Sequence, residues 1–322
     1  MNNTATTPTL TDEQIDAIRT EAKRVVGEHY PSQAAAARDA GIAESTFAAL
    51  LAGTYNGRME AQAPKMQAWL ASRAERAKTT ATMAKAPGFQ LLPSSQKVLS
   101  ALTWSQVAPA FVPIVGAPGV SKTTTAEHYR DSNPNVWMVT MTPSTASASG
   151  LLSEICVAMD VDERSTTRMS RAIGQRVKGV QGLIIVDEAQ VLTVAALEEA
   201  RLLTDRFKVG VTVLGNRTIH ARLYGKGQES HGQLFSRASI KPKLFAPMSG
   251  DICQMVSAWG VTEPAEITFL KTIGRKIGAL RNIDTVMKLA SMLAAGAGQP
   301  RTLAHIRSAW EQIDVDLATD AN

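Results

Sequence analysis

With 322 residues and 34.4 kDa, 44% of them apolar and 20% charged, the chain is long enough to bury a sizeable core in two or three domains. Wholesale disorder and coiled-coil or collagen-like architectures are excluded. Thirty-four Lys and Arg against 29 Asp and Glu, with a pI near 9.2, permit a polyanionic partner without specifying one.

Two cysteines, Cys156 and Cys253, make neither a disulfide framework nor a cysteine-rich zinc module, which fits a reducing compartment. The opening MNNTATTPTL has no basic segment leading into an apolar run, so a cytoplasmic location is expected. Residues 11 to 75 read as a small helical module, with Ile15, Ile18, Ala22, Val25 and Val26 at helical spacing. Within it, Ser32 to Gly53 has the look of a repressor-type helix-turn-helix: a small-residue helix, a turn at Gly41, and a second helix turning Phe47, Leu50 and Leu51 inward. Its outward face offers Glu44, Ser45 and Thr46 and no cation, so sequence reading of guanine is not expected. Arg19, Lys23, Arg24, Arg38, Arg58 and Lys65 are candidates for phosphate contact, and a protein-binding helical adaptor is the competing reading.

The expected division is a helix-turn-helix module over 1–76, a linker over 77–95, an α/β nucleotide-binding domain over 96–248 and a helical domain over 249–322. Val98 to Ser121 carries no charge and is long enough to span a bilayer. Its Ser100, Thr103, Ser105 and Gln106, its three prolines and the motif it runs into make it core of a soluble domain, with no membrane partner. From Phe111, the runs AFVPIV, VWMVTM, LIIVDE and VGVTVLGN alternate with helical patterns, which predicts α/β architecture: a parallel sheet with crossover helices. Pro113 removes a donor from a central strand, and a bulge is the available explanation.

GAPGVSKT, Gly116 to Thr123, follows a strand and opens a helix, as the GxxxxGK[ST] phosphate loop requires. Gly116, Pro118, Gly119, Val120, Ser121 and Thr124 supply the loop and the first turn of the helix. Lys122 reaches the β- and γ-phosphate oxygens of ATP, and Thr123 ligates Mg²⁺. The second motif glycine is replaced by Ser121. A left-handed conformation there would cost about 1–2 kcal/mol, but a residue leading straight into a helix is expected to take ordinary angles. LIIVDE delivers Asp187 and Glu188 at the carboxyl end of a buried strand. Asp187 holds Mg²⁺ through water, and Glu188 orients and activates the water attacking the γ-phosphate. Asn216 ends the next strand on the same edge, within reach of that phosphate or water.

With these elements in order the chain resembles the AAA+ ATPases, and more closely the phage Mu transposition protein B family of target-DNA activators. The likeness lies in GAPGVSKT, NVWMVTMTPSTAS at 135–147, QGLIIVDEAQVL at 181–192, LEEARLL at 197–203, LFSR at 234–237 and GALR at 278–281. It implies Asn216 as first sensor, Arg237 as an arginine finger reaching a neighbour's nucleotide, and Arg281 as second sensor on a helical lid. Each arginine would place a planar cation on developing γ-phosphate charge. It further implies assembly into a homo-oligomer, a helical filament on duplex DNA, delivery of that DNA to a transposase, and a bacterial host cell as the setting.

Arg164, Arg168, Arg171, Arg176 and Lys178 cluster before the Asp187 strand, and Arg217 follows Asn216. Residues 271 to 310 carry Lys271, Arg275, Lys276, Arg281, Lys288, Arg301 and Arg307 against Asp284 alone. Without interleaved aromatics these surfaces suit duplex phosphates better than stacked single-strand bases. The expectation is an ATPase whose DNA binding is largely indifferent to sequence and whose hydrolysis drives disassembly. A helicase loader and an ATP-sensing helix-turn-helix regulator are the alternatives.

Overall fold

The computed structural model describes residues 11–82, 84–219 and 240–313. These divide into two compact units, Met1–Met83 and Ala84–Asn322.

The first unit is four helices: α1 (Asp12–His29), α2 (Gln33–Ala40), α3 (Glu44–Ala52) and α4 (Met59–Thr82). Thr11 starts α1 with a reciprocal capping box to Gln14, and Ser32 caps α2 through the Ala35 amide. Gly41, at φ +64°, ends α2 in a left-handed turn that delivers the chain to α3. Ala22, Val25, Ala36, Ala37, Phe47, Leu50, Leu51 and Trp69 form the core of the unit, with Phe47 edge-on to Trp69. The helix α4 continues to Thr82, through the residues from Ala77 onward expected to be linker.

In the second unit α5 (Pro93–Val107) leads into β1 (Phe111–Gly116), α6 (Lys122–Ser132), β2 (Val136–Thr140), α7 (Ala148–Ala158), α8 (Thr166–Arg176), β3 (Leu183–Asp187), α9 (Val194–Phe207) and β4 (Gly210–Gly215). A short β5, Lys243–Leu244, completes a parallel sheet of order β2-β3-β4-β1-β5 among the described residues. The inner strands β1, β3 and β4 read as apolar runs because both faces are covered, while the edge strand β2 is buried at alternate positions. Along β3, Ile184 and Val186 pack toward α7, α8 and α9, and Leu183 and Ile185 toward α5 and α6.

The uncharged stretch before the phosphate loop is α5 and β1, and no described helix is long and apolar enough to cross a membrane. Its buried Gln106 donates to the Pro134 and Gln181 carbonyls and accepts from the Tyr129 hydroxyl at 2.7 Å, and the Ser105 hydroxyl donates to the Ala110 carbonyl at 2.8 Å. Pro113 needs no bulge. Val115 N–H bonds the Pro242 carbonyl and Ala117 N–H that of Leu244, so odd-numbered positions of β1 face β5. With the strand's period of two, the Pro113 nitrogen falls on that side, ahead of the first residue of β5, and no ladder bond is lost.

The remaining helices, α10 (Asp251–Ala258), α11 (Pro264–Gly274), α12 (Ala279–Gly296) and α13 (Leu303–Ile313), pack around Trp259, Leu270, Ile283, Met287, Ile306 and Trp310. Leu92 is buried in this cluster and Ala84 and Ala86 pack against it, so the segment preceding α5 is part of the lid's packing rather than a free spacer. Asp251 fastens lid to core: fully buried, it accepts from the Ser94 amide at 3.0 Å and the Met248 amide at 2.6 Å. The first of these satisfies an N–H at the start of α5 that has no partner within its own helix.

Candidate functional site

The carboxyl ends of β1, β3 and β4 meet the amino end of α12 around a cavity of about 470 Å³. Pro118, Gly119, Ser121, Lys122, Thr123, Thr124, Asp187, Glu188, Asn216 and Arg281 all line it. Gly116 and Val120 support it from behind. A Cβ on Gly116 would lie 2.5 Å from the Leu244 carbonyl oxygen, and Val120 is fully buried in the core.

Lys122 Nζ donates to the Gly116 and Ala117 carbonyls at 3.0 and 2.8 Å, and burial holds its pKa below the usual lysine value against the pull of Asp187 and Glu188. Asp187 is pushed up, again chiefly by burial. The Thr123 hydroxyl donates to its Oδ2 at 2.7 Å and the Glu188 amide to its Oδ1 at 2.8 Å, both opposing the shift. A buried ammonium and a buried carboxylate with spare coordinating capacity are what a triphosphate and its counter-cation would neutralise. The adjacent Thr123 hydroxyl and Asp187 carboxylate are hard oxygen donors suited to Mg²⁺.

Ser121 is not at ordinary helical angles. It sits at φ +62°, ψ +17°, left-handed, and its side chain makes no capping bond. The reason is that the loop must reverse ahead of α6, which the motif glycine ordinarily does without a Cβ penalty. Its carbonyl accepts from Thr125 N at 3.0 Å and from the Thr125 hydroxyl at 2.6 Å, which pins the turn.

Gly119, at φ +77°, touches the lid directly. A Cβ there would lie 1.8 Å from the Gly278 carbonyl oxygen, and the Gly119 carbonyl accepts from Leu280 N at 3.1 Å. The turn at Gly278 and Ala279, both at positive φ, thereby aims the first turn of α12, with Arg281, at the phosphate loop. Asn216 accepts from Thr218 N at 2.8 Å, which orients its amide at the cavity edge.

Sequence reading missed Pro87, Gln190, Met255, Leu280 and Asp284, which also line the cavity. Met255 and Leu280 could be found only as apolar positions of lid helices, with nothing to separate them from core. Arg237, the expected finger, lies outside the described residues.

The basic positions separate into distinct places. Arg164, Arg168, Arg171, Arg176 and Lys178 are exposed on and beside α8, whose other face buries Met169 and Ile173. Arg176 also lies over the Trp137 ring. Arg217 is apart from them, 4.5 Å from the Phe245 ring centroid, in a second groove shared with Arg275 and Lys276. Lys288 is paired with Asp284 at 2.7 Å, and Arg307 lies over Phe269. In the first unit Arg19 bonds the Leu50 carbonyl and Asp16, while Arg24 is held by Glu21 and Glu28, so these two of the expected phosphate contacts are already committed within the module, and Lys23 on the same helix is exposed.

Two family models match: an AAA domain over residues 107–223, and the C-terminal part of the Mu B transposition protein over residues 236–313. The ATP-dependent target DNA activator B of Escherichia phage Mu is 30% identical over 284 residues, 87% of this chain and 90% of the relative. The chain belongs to the Mu B family. The Mu-like prophage FluMu DNA transposition protein B of Haemophilus influenzae is 30% identical over 264 residues, 80% of this chain and 91% of that protein. A RuvB chain from Thermotoga maritima has 15% identity and a TM-score of 0.47, covering 69% of each chain. As a member of the Mu B family with an AAA domain, the chain is an ATPase.

Proposed function

We propose that the chain is an ATP-switched, largely sequence-indifferent duplex-DNA-binding protein. It oligomerises on DNA as a helical filament, delivers that target DNA to a transposase, and disassembles on hydrolysis. The observation that carries the reading is the convergence of Lys122, Thr123, Asp187, Glu188, Asn216 and Arg281 on one cavity of a Mu B relative. Charge distribution supports the DNA partner. Residues 11–82 hold nine basic and nine acidic side chains, so the whole excess of +5 resides in the unit that binds ATP. The exposed Arg164, Arg168, Arg171, Arg176 and Lys178 are its DNA-facing set, with Arg217 contributing from its own groove. The helices α2 and α3, with the Gly41 turn, serve as a helix-turn-helix, while Arg19 and Arg24 of α1 are held by acidic neighbours and leave little for backbone contact.

In catalysis Lys122 leaves the two loop carbonyls for the β- and γ-phosphate oxygens, and the loop amides with the amino end of α6 hold the β-phosphate. Thr123 and Asp187 would hold Mg²⁺, whose charge would offset that of the triphosphate. Glu188 aligns and deprotonates the attacking water, Asn216 holds water or γ-phosphate, and Arg281 stabilises the charge that develops. Arg237 of an adjacent subunit completes the site, so turnover depends on assembly.

A gel shift with random duplex tests this. Binding is expected to require ATP, to grow with duplex length and to fall steeply with salt. Lys122→Ala is expected to abolish it, and Glu188→Gln to trap the assembly on DNA. Undiminished ATP-dependent binding by the first variant, or rapid release by the second, overturns the reading.

A further inference from the structure

Among the described residues of the lid, Asp284 alone brings an acid to the wall of the nucleotide cavity. It stands on α12 three residues after Arg281 and four after Leu280, whose amide is bonded to the Gly119 carbonyl of the phosphate loop. Lys288, four residues further on, donates to Asp284 Oδ2 at 2.7 Å, the helical spacing at which an acid followed by a base pairs well. That pair accounts for one carboxylate oxygen. Oδ1 has no partner among the described residues, and the side chain keeps 31% of its surface exposed.

A carboxylate in the wall of a triphosphate site is repelled by the phosphates unless it faces an uncharged part of the ligand. The helix gives Asp284 that place. Arg281 is near enough to act on the charge of Lys122, whereas Asp284 is not among the groups that act on Lys122 or Asp187. At a rise of about 1.5 Å per residue, α12 runs about 4.5 Å from Arg281 to Asp284, away from the turn tied to the phosphate loop. Passing outward from the phosphates of a nucleotide, the ribose hydroxyls are the first uncharged donors, and the base lies beyond them. We propose that Asp284 is a specificity-determining residue that accepts a ribose hydroxyl of the bound nucleotide on Oδ1, while Lys288 fixes the carboxylate through Oδ2. This rests on the reading of the cavity as an ATP site whose phosphates lie against Lys122 and Arg281. The Lys288 ammonium also offsets the carboxylate's charge, which keeps it compatible with a polyanion one helical turn away. A hydroxyl bonded to a charged acceptor contributes about tenfold or more in an equilibrium, and a ligand without it leaves that acceptor desolvated and unpaired.

The test is steady-state phosphate release by the full chain with Mg-ATP, its 2′-deoxy and 3′-deoxy analogues, and inosine triphosphate. Results are read as ratios of kcat/KM, so that a general loss of activity cancels. Wild type is expected to use at least one deoxy analogue about tenfold less well than ATP. In Asp284→Ala that ratio is expected to fall to within about twofold of one, because ATP loses the contact the analogue never made. Asp284→Asn, which keeps the shape and a neutral acceptor, should give an intermediate ratio. Lys288→Met, which frees the carboxylate, should lower the ratio too, chiefly through KM. The ratio of ATP to inosine triphosphate, which differ only in the base, is expected to be the same in wild type and Asp284→Ala. Wild type that uses both deoxy analogues as well as ATP, or a penalty that survives Asp284→Ala, overturns the assignment. So does a change confined to the inosine ratio, which would put the carboxylate at the base. Lys122→Ala separates the two readings. If it turns over ATP like wild type, the cavity is not the ATP site and both fall. If it is silent while the wild-type deoxy ratios stay near one, the ribose contact alone falls.

Discussion

Replacing Ser121 by glycine tests where the cost of the missing motif glycine is felt. Ser121 takes left-handed angles in the folded loop, so its strain of about 1–2 kcal/mol is felt in folding. Glycine removes that strain but gives the unfolded chain extra freedom worth about 0.5–1 kcal/mol, leaving a net gain of about 0.5–1 kcal/mol. Nothing else is lost, because the serine side chain caps nothing and the bonds from Thr125 go to the backbone carbonyl. For a unit of this size the gain is about 1–4 °C in Tm. Scanning calorimetry without nucleotide should show that rise in Ser121→Gly and none in Ser121→Ala, which keeps the Cβ. Titration with a fluorescent ATP analogue should find affinities within about twofold of wild type for both. A tenfold tightening in Ser121→Gly with no change in Tm would place the strain in the bound state only, and the argument would be wrong.

Three further outcomes follow from the same geometry. Gly119→Ala puts a Cβ 1.8 Å from the Gly278 oxygen at a positive φ; it is expected to separate the lid from the loop and to weaken ATP binding by at least tenfold, measured by the same titration. Asp187→Asn removes a carboxylate whose folded pKa is raised by burial. Such an acid destabilises the fold above its folded pKa, and the penalty shrinks as pH falls through that value. The variant should therefore melt higher at neutral pH, with the difference shrinking on acidification and no further gain from Mg-ATP. Arg168→Ala with Arg171→Ala should weaken binding to all duplexes alike and lower the slope of log affinity against log salt by about 2, whereas a change in sequence preference would refute a backbone role.

Much of the site was legible in the chain because its chemistry is local. The loop Gly116 to Thr123 and the pair Asp187 and Glu188 are contiguous residues at strand ends, and a parallel sheet brings the carboxyl ends of its strands to one edge whatever the loops do. The apolar runs that became β1, β3 and β4 were readable for the same reason, since burial on both faces leaves no polar alternation to obscure them. The two-residue β5 was not, because Lys243 and Leu244 carry no pattern of their own and are ordered by β1.

Decisions that depend on residues far apart in sequence had to await the fold. Ser121 was expected at ordinary angles, but the loop's path to α6 overrode a preference its neighbours could not reveal. Pro113 looked like a fault in a central strand until its neighbour proved too short to need the missing N–H. The segment before α5 read as spacer because its composition is spacer-like, yet Pro87 lines the cavity and Leu92 fills the lid's core. Arg19 and Arg24 looked free to meet phosphate, and acidic neighbours one helical turn away take them first. Residue type and spacing along the chain determine which groups can do the chemistry. Burial, register and the meeting of the Gly278 turn with Gly119 decide which of them face one another, because those depend on distances that only the packed chain defines.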